Sequence, residues 1–534
     1  MNRTFRPRPV YVAASWMGPV GRYTDRDRGA LSFLEMAEQC GQVFMDSSVR
    51  RRQIEAVVVG SQNPASFSGV DNTAAKIAGI LGISGVKSIL IDTASSSGAS
   101  AFENAYLEVA SGRHDHVLAI GIQKMSDTST QEATRIIAGV IDRDEAEYGL
   151  TMPACGALVA ASLQRRLGLS DLEWSAYSAL LTQRSHRFAG QNTAAHLRHE
   201  LPVEQYFGQV VSGENYRYWS PLRYHDFCPM SDGMAAVILT ARPQQVMVTG
   251  IGSATDIPTI ADRRYFHSFP ATVTAAGHAY GMAGLHNLEL LEGKLHVNMH
   301  DPFNGFGPIN LVDLGIVSRA RLFDALLDDQ LTGPGGRFPT NLTGGLKGRG
   351  HPLGATGLIQ VVENHRLIIE SGFTAGLSHS IGGPINNNVV ILLEQADHYR
   401  ARCHEPFQPW GLPSLGRPKP KEVTVEALLA EAGRCSGSFV CATVRYHHKT
   451  GAPELVLVIV SCLYKGRRYR FLFGLDGGCA SEIEGLPPGE EVVLERREST
   501  LLLNRLPVQR FYQRTLQGAR DLAEAGWNRL RQRL

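Results

Sequence analysis

The sequence lacks the cysteine spacing of a metal ribbon or a disulfide framework. Its eight cysteines are scattered, and no two of them form a C-x-x-C pair. Zinc ribbons and small disulfide scaffolds depend on such paired spacings. The pattern therefore predicts reduced thiols in a cytoplasmic protein and no metal site.

Long apolar runs and a dominant charge are also missing. No stretch approaches about 18 uninterrupted apolar residues, which predicts that the chain has no membrane span. The first nine residues, up to Pro9, carry charge with no apolar run behind it, so we expect no secretory signal. A formal net charge of +2 gives no whole-molecule reason to expect a nucleic-acid partner.

What is present indicates a globular protein with more than one structural unit. At 534 residues the chain is too long for one ordinary core, so we expect two or three units. Up to about residue 395, β-rich runs alternate with helical runs rich in Ala and Leu, which indicates a layered α/β fold. Residues 122–225 are irregular and richer in Arg, His and Gln, so we expect a loop insertion lying over a site.

A break in composition follows this region. Five prolines between Pro406 and Pro420 predict a semi-rigid linker over residues 397–424. Five or so short strands predict a small β-barrel over residues 425–505. Residues 506–534 form a basic C-terminal segment with six arginines. That composition is typical of a free amphipathic helix or of a solvated helix packed on its own domain.

The most informative segment is the small-residue turn around Ser95. An apolar strand from Val86 to Asp92 runs into Thr93-Ala94-Ser95-Ser96-Ser97-Gly98, and an amphipathic helix follows. Small neighbours allow close approach to a side chain displayed at such a turn, and a helix N-terminus favours developing negative charge. Ser95 is therefore a candidate nucleophile.

Four further motifs join Ser95, and their order along the chain is more informative than any one of them. They are Cys228-Pro229-Met230-Ser231-Asp232-Gly233, His300-Asp301-Pro302-Phe303, the glycine-rich run from Gly344 to Gly357, and Leu377-Ser378-His379-Ser380-Ile381-Gly382-Gly383. A hydroxyl at a helix N-terminus, histidines at strand or loop ends and glycines that admit a thioester together indicate an acyl-transfer site.

Residues 8–395 resemble the thiolase superfamily. The run Gly350-His351-Pro352-Leu353-Gly354-Ala355-Thr356-Gly357 is specific to that family. The motif His300-Asp301-x-Phe303 is similar to the corresponding motif in one branch of the family, which includes the sterol carrier protein thiolases and archaeal acetoacetyl-CoA thiolases. The resemblance implies a duplicated αβαβα core that forms a homodimer. Its N-terminal half would span residues 1–245 and its C-terminal half residues 246–396.

The resemblance also implies roles for individual residues. Ser95 stands where the family has its nucleophilic cysteine. His351 matches the histidine that activates this nucleophile, and His300 matches a residue of an oxyanion hole. The final active-site loop would comprise His379, Ser380, Gly382 and Gly383, and the substrate-binding positions of the glycine loop would be Gly350, Gly354 and Ala355.

Residues 425–505 resemble the OB-fold proteins that accompany thiolase-like enzymes as separate subunits. Those partners usually carry a zinc ribbon of paired cysteines, whereas this chain has only Cys403 in the corresponding stretch. A fusion would fix the stoichiometry of the two parts and raise their effective concentration. The strands lack clustered aromatic and basic positions for stacking on bases, which disfavours nucleic-acid binding.

Two departures from the family pattern affect the predicted chemistry. Pro302 and Ser380 stand where the family has its second thiol, and neither titrates near neutrality. Ser95 replaces a thiol with an alcohol that ionises far less readily, so it depends on His351 as a base. We therefore predict an acyltransferase of specialised, polyketide-like metabolism that needs no cofactor. Ser95 would pass an acyl group from a CoA or carrier-protein thioester to a small acceptor that is already nucleophilic.

Two alternatives from other functional classes stay open. The chain could be a catalytically inactive scaffold or partner subunit, since both thiols are absent. It could also be a decarboxylating or condensing enzyme that uses His300 and His351 while Ser95 only polarises the substrate. Substitution of His351 and release of carbon dioxide from malonyl-CoA discriminate among these functions.

Overall fold

A computed structural model describes residues 8–263, 266–402, 423, 425–430, 434–464, 467–497 and 500–509. The strands are β1 (Tyr11–Met17), β2 (Ala56–Gly60), β3 (Lys87–Ile91), β4 (His116–Gln123), β5 (Arg217–Trp219), β6 (Leu222–Arg223), β7 (Gly233–Thr240), β8 (Val246–Thr255), β9 (Leu295–Asn298), β10 (Ala375–Gly382), β11 (Asn387–Gln395), β12 (Arg434–Tyr446), β13 (Pro453–Tyr464), β14 (Arg467–Asp476), β15 (Glu491–Arg497), β16 (Thr500–Leu503) and β17 (Leu506–Gln509).

The described part of the chain also contains helices, most of which lie between these strands in sequence. They are α1 (Phe33–Gln39), α2 (Pro64–Ser68), α3 (Thr73–Ile80), α4 (Ser97–Ala110), α5 (Thr130–Ala138), α6 (Arg143–Glu147), α7 (Met152–Leu167), α8 (Asp171–Gly190), α9 (Val203–Ser212), α10 (Pro270–Met282), α11 (Phe306–Asp313), α12 (Asp329–Thr332), α13 (Gly345–Gly348), α14 (Thr356–Glu370), α15 (Ala396–Arg402), α16 (Val425–Ala430) and α17 (Ala480–Glu484). Within the described residues, no helix combines the length and the apolar character needed to cross a membrane.

The first large sheet contains the same pairing pattern twice. Its strand order is β3-β2-β4-β7-β1-β8-β11-β10-β9. In the N-terminal half, β1 pairs antiparallel with β7, β7 antiparallel with β4, β4 parallel with β2, and β2 parallel with β3. In the C-terminal half, β8 pairs antiparallel with β11, β11 antiparallel with β10, and β10 parallel with β9. A parallel bridge from Val297 to Thr340 completes this second copy, which confirms the predicted duplication.

Helices cover both faces of each half-sheet, and this explains why the strands read as continuous apolar runs. In β2, Val57 and Val59 face the core that includes α1 and α3, whereas Val58 faces the core that includes α4 and α14. In β11, Ile391 faces that second core, whereas Val390 faces the core that includes α10. The resulting order of layers is α, β, α, β, α, as predicted, with α4 and α14 in the middle.

The insertion over residues 122–225 is mostly helical, so the prediction of an irregular segment was wrong. It comprises α5 to α9 and the short strands β5 and β6. The side chain of Ser170 caps α8 and forms a capping box with Glu173, and such a pair satisfies two free backbone groups at a helix start. Trp174 of α8 and Leu158 of α7 are buried. Burial of apolar side chains therefore stabilises helices in a segment whose Arg, His and Gln content suggested a loop.

The C-terminal strands form a second, antiparallel sheet. The pairings β12–β13, β13–β14, β14–β17, β17–β16, β16–β15 and β15–β12 make a closed ring, which agrees with a small barrel. Its assignment as an OB-fold stays a prediction. The sheet extends to Gln509, beyond the predicted limit at residue 505, because Asn504 and Arg505 take left-handed conformations that turn the chain back on itself. The rest of the predicted basic segment, residues 510–534, and linker residues 403–422 lie outside the described residues.

Candidate functional site

Ser95 lies in a tight turn between the end of β3 and the start of α4. Ala94 takes a left-handed conformation with φ 56°, which costs about 1–3 kcal/mol for a residue with a side chain. The Asp92 carboxylate accepts a hydrogen bond from the Ala94 amide at 2.9 Å, and the Ser97 hydroxyl donates to the Ala94 carbonyl at 2.5 Å. Ala94 and Ser96 are buried, whereas Ser95 between them is half-buried. The turn therefore displays one serine and uses its neighbours to hold the strained backbone.

A cavity of about 680 Å³ lies in front of this turn. Ser95, His300 and His351 all line it, so the structure brings together the three residues predicted to be catalytic. From the predicted final loop, Gly383 also lines the cavity, together with its neighbour Ile381. Most of the remaining lining is apolar or aromatic, which is typical of a pocket for an organic ligand.

His351 is held in one orientation by the loop that precedes α14. Its Nδ1 lies 2.8 Å from the Thr356 hydroxyl, and its amide donates to the Ser231 hydroxyl at 3.2 Å. Because Nδ1 is engaged, Nε2 is the ring nitrogen left for a ligand. Burial, with a smaller effect of the Arg349 charge, lowers the pKa of His351 to about 3. The imidazole is therefore neutral at physiological pH.

His300 faces His351 across the site. The ring centroids are 5.0 Å apart and the rings lie nearly perpendicular, at 88°. Burial and then the proximity of His351, His379 and Arg349 lower the pKa of His300 well below its ordinary value. The Nδ1 atom of His300 has no hydrogen-bond partner among the described residues. A buried polar nitrogen without a hydrogen-bond partner is costly to the folded state.

The other predicted residues of the final loop lie behind the cavity surface. Side chains alternate along β10, so Ser380 and Gly382 point away from the face that Ile381 presents. A Cβ on Gly382 would lie 2.0 Å from the Thr93 carbonyl oxygen, so this glycine lets β10 approach the Ser95 turn. His379 lies on the face of Ile381 but does not line the cavity; its Nε2 is 3.3 Å from the Thr272 hydroxyl, and burial lowers its pKa to about 3.

The predicted substrate-binding positions Gly350, Gly354 and Ala355 do not line the cavity; from this loop His351 and Leu353 do. Their small size serves contacts within the protein. A Cβ on Gly354 would lie 2.6 Å from the Gln62 amide nitrogen, and one on Gly350, where φ is +110°, would lie 2.7 Å from the Ser231 hydroxyl. The glycines therefore allow close backbone packing around His351, and contact of these positions with substrate stays a prediction.

Sequence reasoning missed a thiol and an aromatic surface. Cys228 lines the cavity, and its amide donates to the Pro302 carbonyl at 2.8 Å. A thiol therefore lies beside one of the positions from which the second thiol is missing. Burial, and to a lesser extent Asp301, raises the pKa of Cys228 to about 12. The aromatic surface is lined by Tyr216, Tyr218, Tyr224 and Phe227, whose closeness to one another along the chain was the available signal.

No group of three or more His, Cys, Asp or Glu side chains is arranged to hold a metal ion in the part of the chain that the structure describes. Around the mostly apolar cavity, the groups beside the Ser95 hydroxyl therefore include the neutral imidazoles of His300 and His351 and the protonated thiol of Cys228. Such groups bind and activate a carbonyl compound by hydrogen bonding and by proton transfer.

The five-layered core and the two loops that meet at its central helices define a thiolase-type protein. The family "Thiolase, N-terminal domain" matches residues 10–215, and "Thiolase C-terminal domain-like" matches residues 252–395. An acetyl-CoA acetyltransferase of Methanothermobacter thermautotrophicus is 31% identical over 372 residues, which cover 66% of this chain and 92% of the relative. The chain belongs to the thiolase superfamily, whose relatives include acyl-transferring enzymes.

Two solved structures share the fold at 18% identity. One is described as a monomeric SCP2-thiolase-like protein type 1 from Mycobacterium smegmatis. It has a TM-score of 0.66 and covers 93% of this chain and 99% of its own. The other is the Ltp2-ChsH2(DUF35) aldolase, with a TM-score of 0.59, covering 74% of this chain and 100% of its own. At this identity the likeness concerns the fold alone.

Proposed function

We propose that the chain is an acyltransferase in which Ser95 carries the acyl group. The observation that supports this most directly is that Ser95, on a strained turn at a helix N-terminus, shares one cavity with His300 and His351. Strained residues cluster at functional sites. The buried serines beside it hold the turn, whereas the Ser95 hydroxyl faces the space where a thioester would bind.

The reaction follows from the protonation states of the site. His351 is neutral and takes the proton of the Ser95 hydroxyl as Oγ attacks the thioester carbon. The N-terminus of α4 and the His300 ring stabilise the negative charge that develops on the carbonyl oxygen. The C–S bond then breaks, and the leaving thiolate takes the proton from His351. A nucleophilic acceptor then attacks the Ser95 ester while His351 takes the acceptor's proton. The bond between the acyl carbon and Oγ breaks, His351 returns the proton to Oγ, and the acylated product leaves.

The identity of the partners follows the same reasoning. The donor is an acyl thioester of CoA or of a carrier protein, and the acceptor is a small molecule of specialised, polyketide-like metabolism in the cytoplasm. The chemistry requires no cofactor.

We also propose a homodimer through the thiolase core, because β3 is an edge strand and Leu90 on it is 40% exposed. Sedimentation of the protein and of Leu90→Lys tests this; a monomer, as described for the mycobacterial structure, is the contrary outcome.

Intact-protein mass spectrometry after exposure to a panel of acyl thioesters tests the acyl-serine. We expect a mass increase equal to the acyl group in the wild type and in Cys228→Ala, and none in Ser95→Ala. The Cys228→Ala variant removes a thiol that lines the same cavity and is the matched control. An adduct that persists in Ser95→Ala, or the absence of any adduct with every donor, contradicts the proposal.

A decarboxylating enzyme is a second candidate, favoured by the two neutral imidazoles that face each other in the buried site. Together they could stabilise an enolate formed by loss of carbon dioxide without removing a proton from carbon. Release of carbon dioxide from malonyl-CoA by Ser95→Ala would support it. Pathway activity that is unchanged in His351→Ala would support a catalytically inactive scaffold instead.

A further inference from the structure

One wall of the cavity is a chain of aromatic rings in contact. Tyr216 and Tyr224 stack with centroids 5.6 Å apart, and Tyr218 contacts both Tyr216, at 6.2 Å, and Phe227, at 5.7 Å. Phe227 in turn contacts Phe303 at 5.5 Å. Tyr224 is 54% exposed, whereas Phe303 is buried and follows His300 by three residues. We call these five residues the aromatic wall; it extends from the solvent-exposed Tyr224 to Phe303, which lines the same cavity as His300 and His351.

The C-terminal sheet holds this wall from behind. The Ser220 amide donates to the Val444 carbonyl at 2.8 Å, and the Thr443 hydroxyl donates to the Ser220 carbonyl at 2.7 Å. Trp219, between Tyr218 and Ser220, is fully buried and pairs with Arg445 of β12. The second large sheet therefore runs from the C-terminal strands into β5 and β6, although more than 200 residues of sequence separate them.

Side chains of β12 and of the turn after it add contacts to the same segment. The Arg445 guanidinium lies 6.0 Å from the centre of the Trp219 ring, and the Arg217 guanidinium lies 5.7 Å from the Tyr446 ring. Tyr216, the first member of the wall, contacts the His448 ring at 5.9 Å. In such contacts the quadrupole of the ring attracts the cation, which holds the two side chains together. The position of the wall thus depends on groups that do not themselves reach the cavity.

We infer that the aromatic wall selects a flat aromatic acyl group on the thioester, and that the C-terminal unit sets the position of this wall. This inference rests on the acyl-thioester site proposed above. Aromatic rings pair with other rings in stacked or edge-to-face geometry, and each such pair adds binding free energy beyond that of the area buried. An acetyl group can use none of these contacts and would leave most of the cavity unfilled. Arg445 and His448 are positioning residues.

Calorimetric binding of two thioether analogues, one of acetyl-CoA and one of 2-naphthoyl-CoA, tests the selection. The protein carries Ser95→Ala, so binding is read without acyl transfer and a failure of the acyl-serine proposal does not affect the result. We expect the naphthoyl analogue to bind at least about tenfold more tightly, since two ring pairs are gained. Tyr218→Ala should reduce this preference to less than about threefold, through a larger loss of affinity for the naphthoyl analogue than for the acetyl analogue. Equal affinities in the parent protein overturn the inference.

The role of the C-terminal unit is tested in the same background. Arg445→Met and, as a milder change at an exposed turn, His448→Ala should weaken binding of the naphthoyl analogue about threefold or more, with no change for the acetyl analogue. Arg468→Met, on an exposed part of β14, is the matched control and should alter neither. If both positioning variants retain the melting temperature and the full preference, or weaken both analogues equally, the C-terminal unit does not set the wall.

Discussion

The two halves of the core share one pattern of strand pairing but display different side chains at the loop that precedes the central helix of each half. In the N-terminal half, the short turn Asp92–Ser96 leads from β3 to α4 and displays a serine. In the C-terminal half, the longer segment 341–355 leads from the strand position at Thr340 to α14 and displays His351. The comparison teaches that one duplicated fold can present both the proposed nucleophile, Ser95, and its proposed base, His351, because equivalent helices begin beside each other in the central layer.

The difference between the two loops is also one of backbone conformation. The N-terminal turn relies on one strained alanine that is held by hydrogen bonds, whereas the C-terminal loop contains Gly344, Gly345 and Gly350 with positive φ. Glycine adopts such conformations without a steric penalty. The N-terminal turn therefore has its positive φ at an alanine next to Ser95. The C-terminal segment has its positive φ values at three glycines and at Asn341, residue types that adopt them more readily.

The largest expected effect comes from removing His351, the proposed base of the C-terminal half. We expect His351→Ala to lower the rate of acyl loading on Ser95 about 10²- to 10⁴-fold, the usual contribution of a general base. Rapid-quench mass spectrometry measures this rate. His365→Gln is the matched control, because His365 is a buried histidine of α14 that is bound to Ser15 and does not line the cavity. A loading rate in His351→Ala within about threefold of the wild type would contradict the assigned role.

The close packing between the start of α4 and the loop before α14 can be tested by a substitution at Gly98. A Cβ there would lie 2.7 Å from the Gly354 carbonyl oxygen, so we expect Gly98→Ala to lower the free energy of unfolding by about 1–3 kcal/mol. Denaturant titration measures the change. Gly79→Ala on α3 is the matched control: its Cβ meets nothing within 4 Å, and it should stabilise by about 0.5–1 kcal/mol. Equal effects of the two substitutions would show that the helix starts are not tightly packed.

The neutral state of His351 predicts a dependence of stability on pH. Burial lowers its pKa to about 3 in the folded protein, whereas the unfolded chain has an ordinary value near 6.5. The unfolded state therefore binds an additional proton between these values, and the free energy of unfolding falls as the pH falls, by about 1.4 kcal/mol per pH unit for each such group. His351→Gln should reduce the slope by the equivalent of about one proton. Unfolding titrations from pH 7 to 4 that give the same slope for both proteins would contradict this.

The smallest expected effect concerns Cys228, which belongs to neither of the two loops. Because burial raises its pKa to about 12, the thiol stays protonated at neutral pH and does not act as a base. We expect Cys228→Ala to change the rate of acyl loading less than about threefold. Cys155→Ala, at another thiol that lines the cavity, is the comparison. A loss as large as that in His351→Ala would make Cys228 part of the reaction.

The sequence was sufficient for the features encoded in short, contiguous motifs. The glycine-rich run around His351 and the order of the motifs predicted the family and the layered core. They also placed Ser95, His300 and His351 together. The sequence was insufficient where the position of a residue depends on contacts with residues far away along the chain. The packing of Gly354 against the Gln62 backbone and of Gly350 against the Ser231 side chain is not encoded near these glycines, and their predicted contact with substrate stays a prediction.

The aromatic wall shows the same limit more clearly. Tyr216 and Tyr218 lie in a segment without a strong periodic pattern, and β5 forms against Arg445, far along the chain. Nothing local to residues 216–219 predicts that pairing. The helices of the insertion were missed for a related reason: burial of Trp174 and Leu158 depends on the surrounding core, which composition does not reveal.

The central claim is that the hydroxyl displayed by the N-terminal half accepts an acyl group. The most direct measurement is peptide mass spectrometry of the wild-type protein and of Cys228→Ala after a single turnover with an acyl-CoA donor. The account predicts one acyl adduct on the peptide that contains Ser95, at equal occupancy in both proteins. An adduct on the peptide that contains Cys228, or an unmodified Ser95 peptide while product forms, would contradict it.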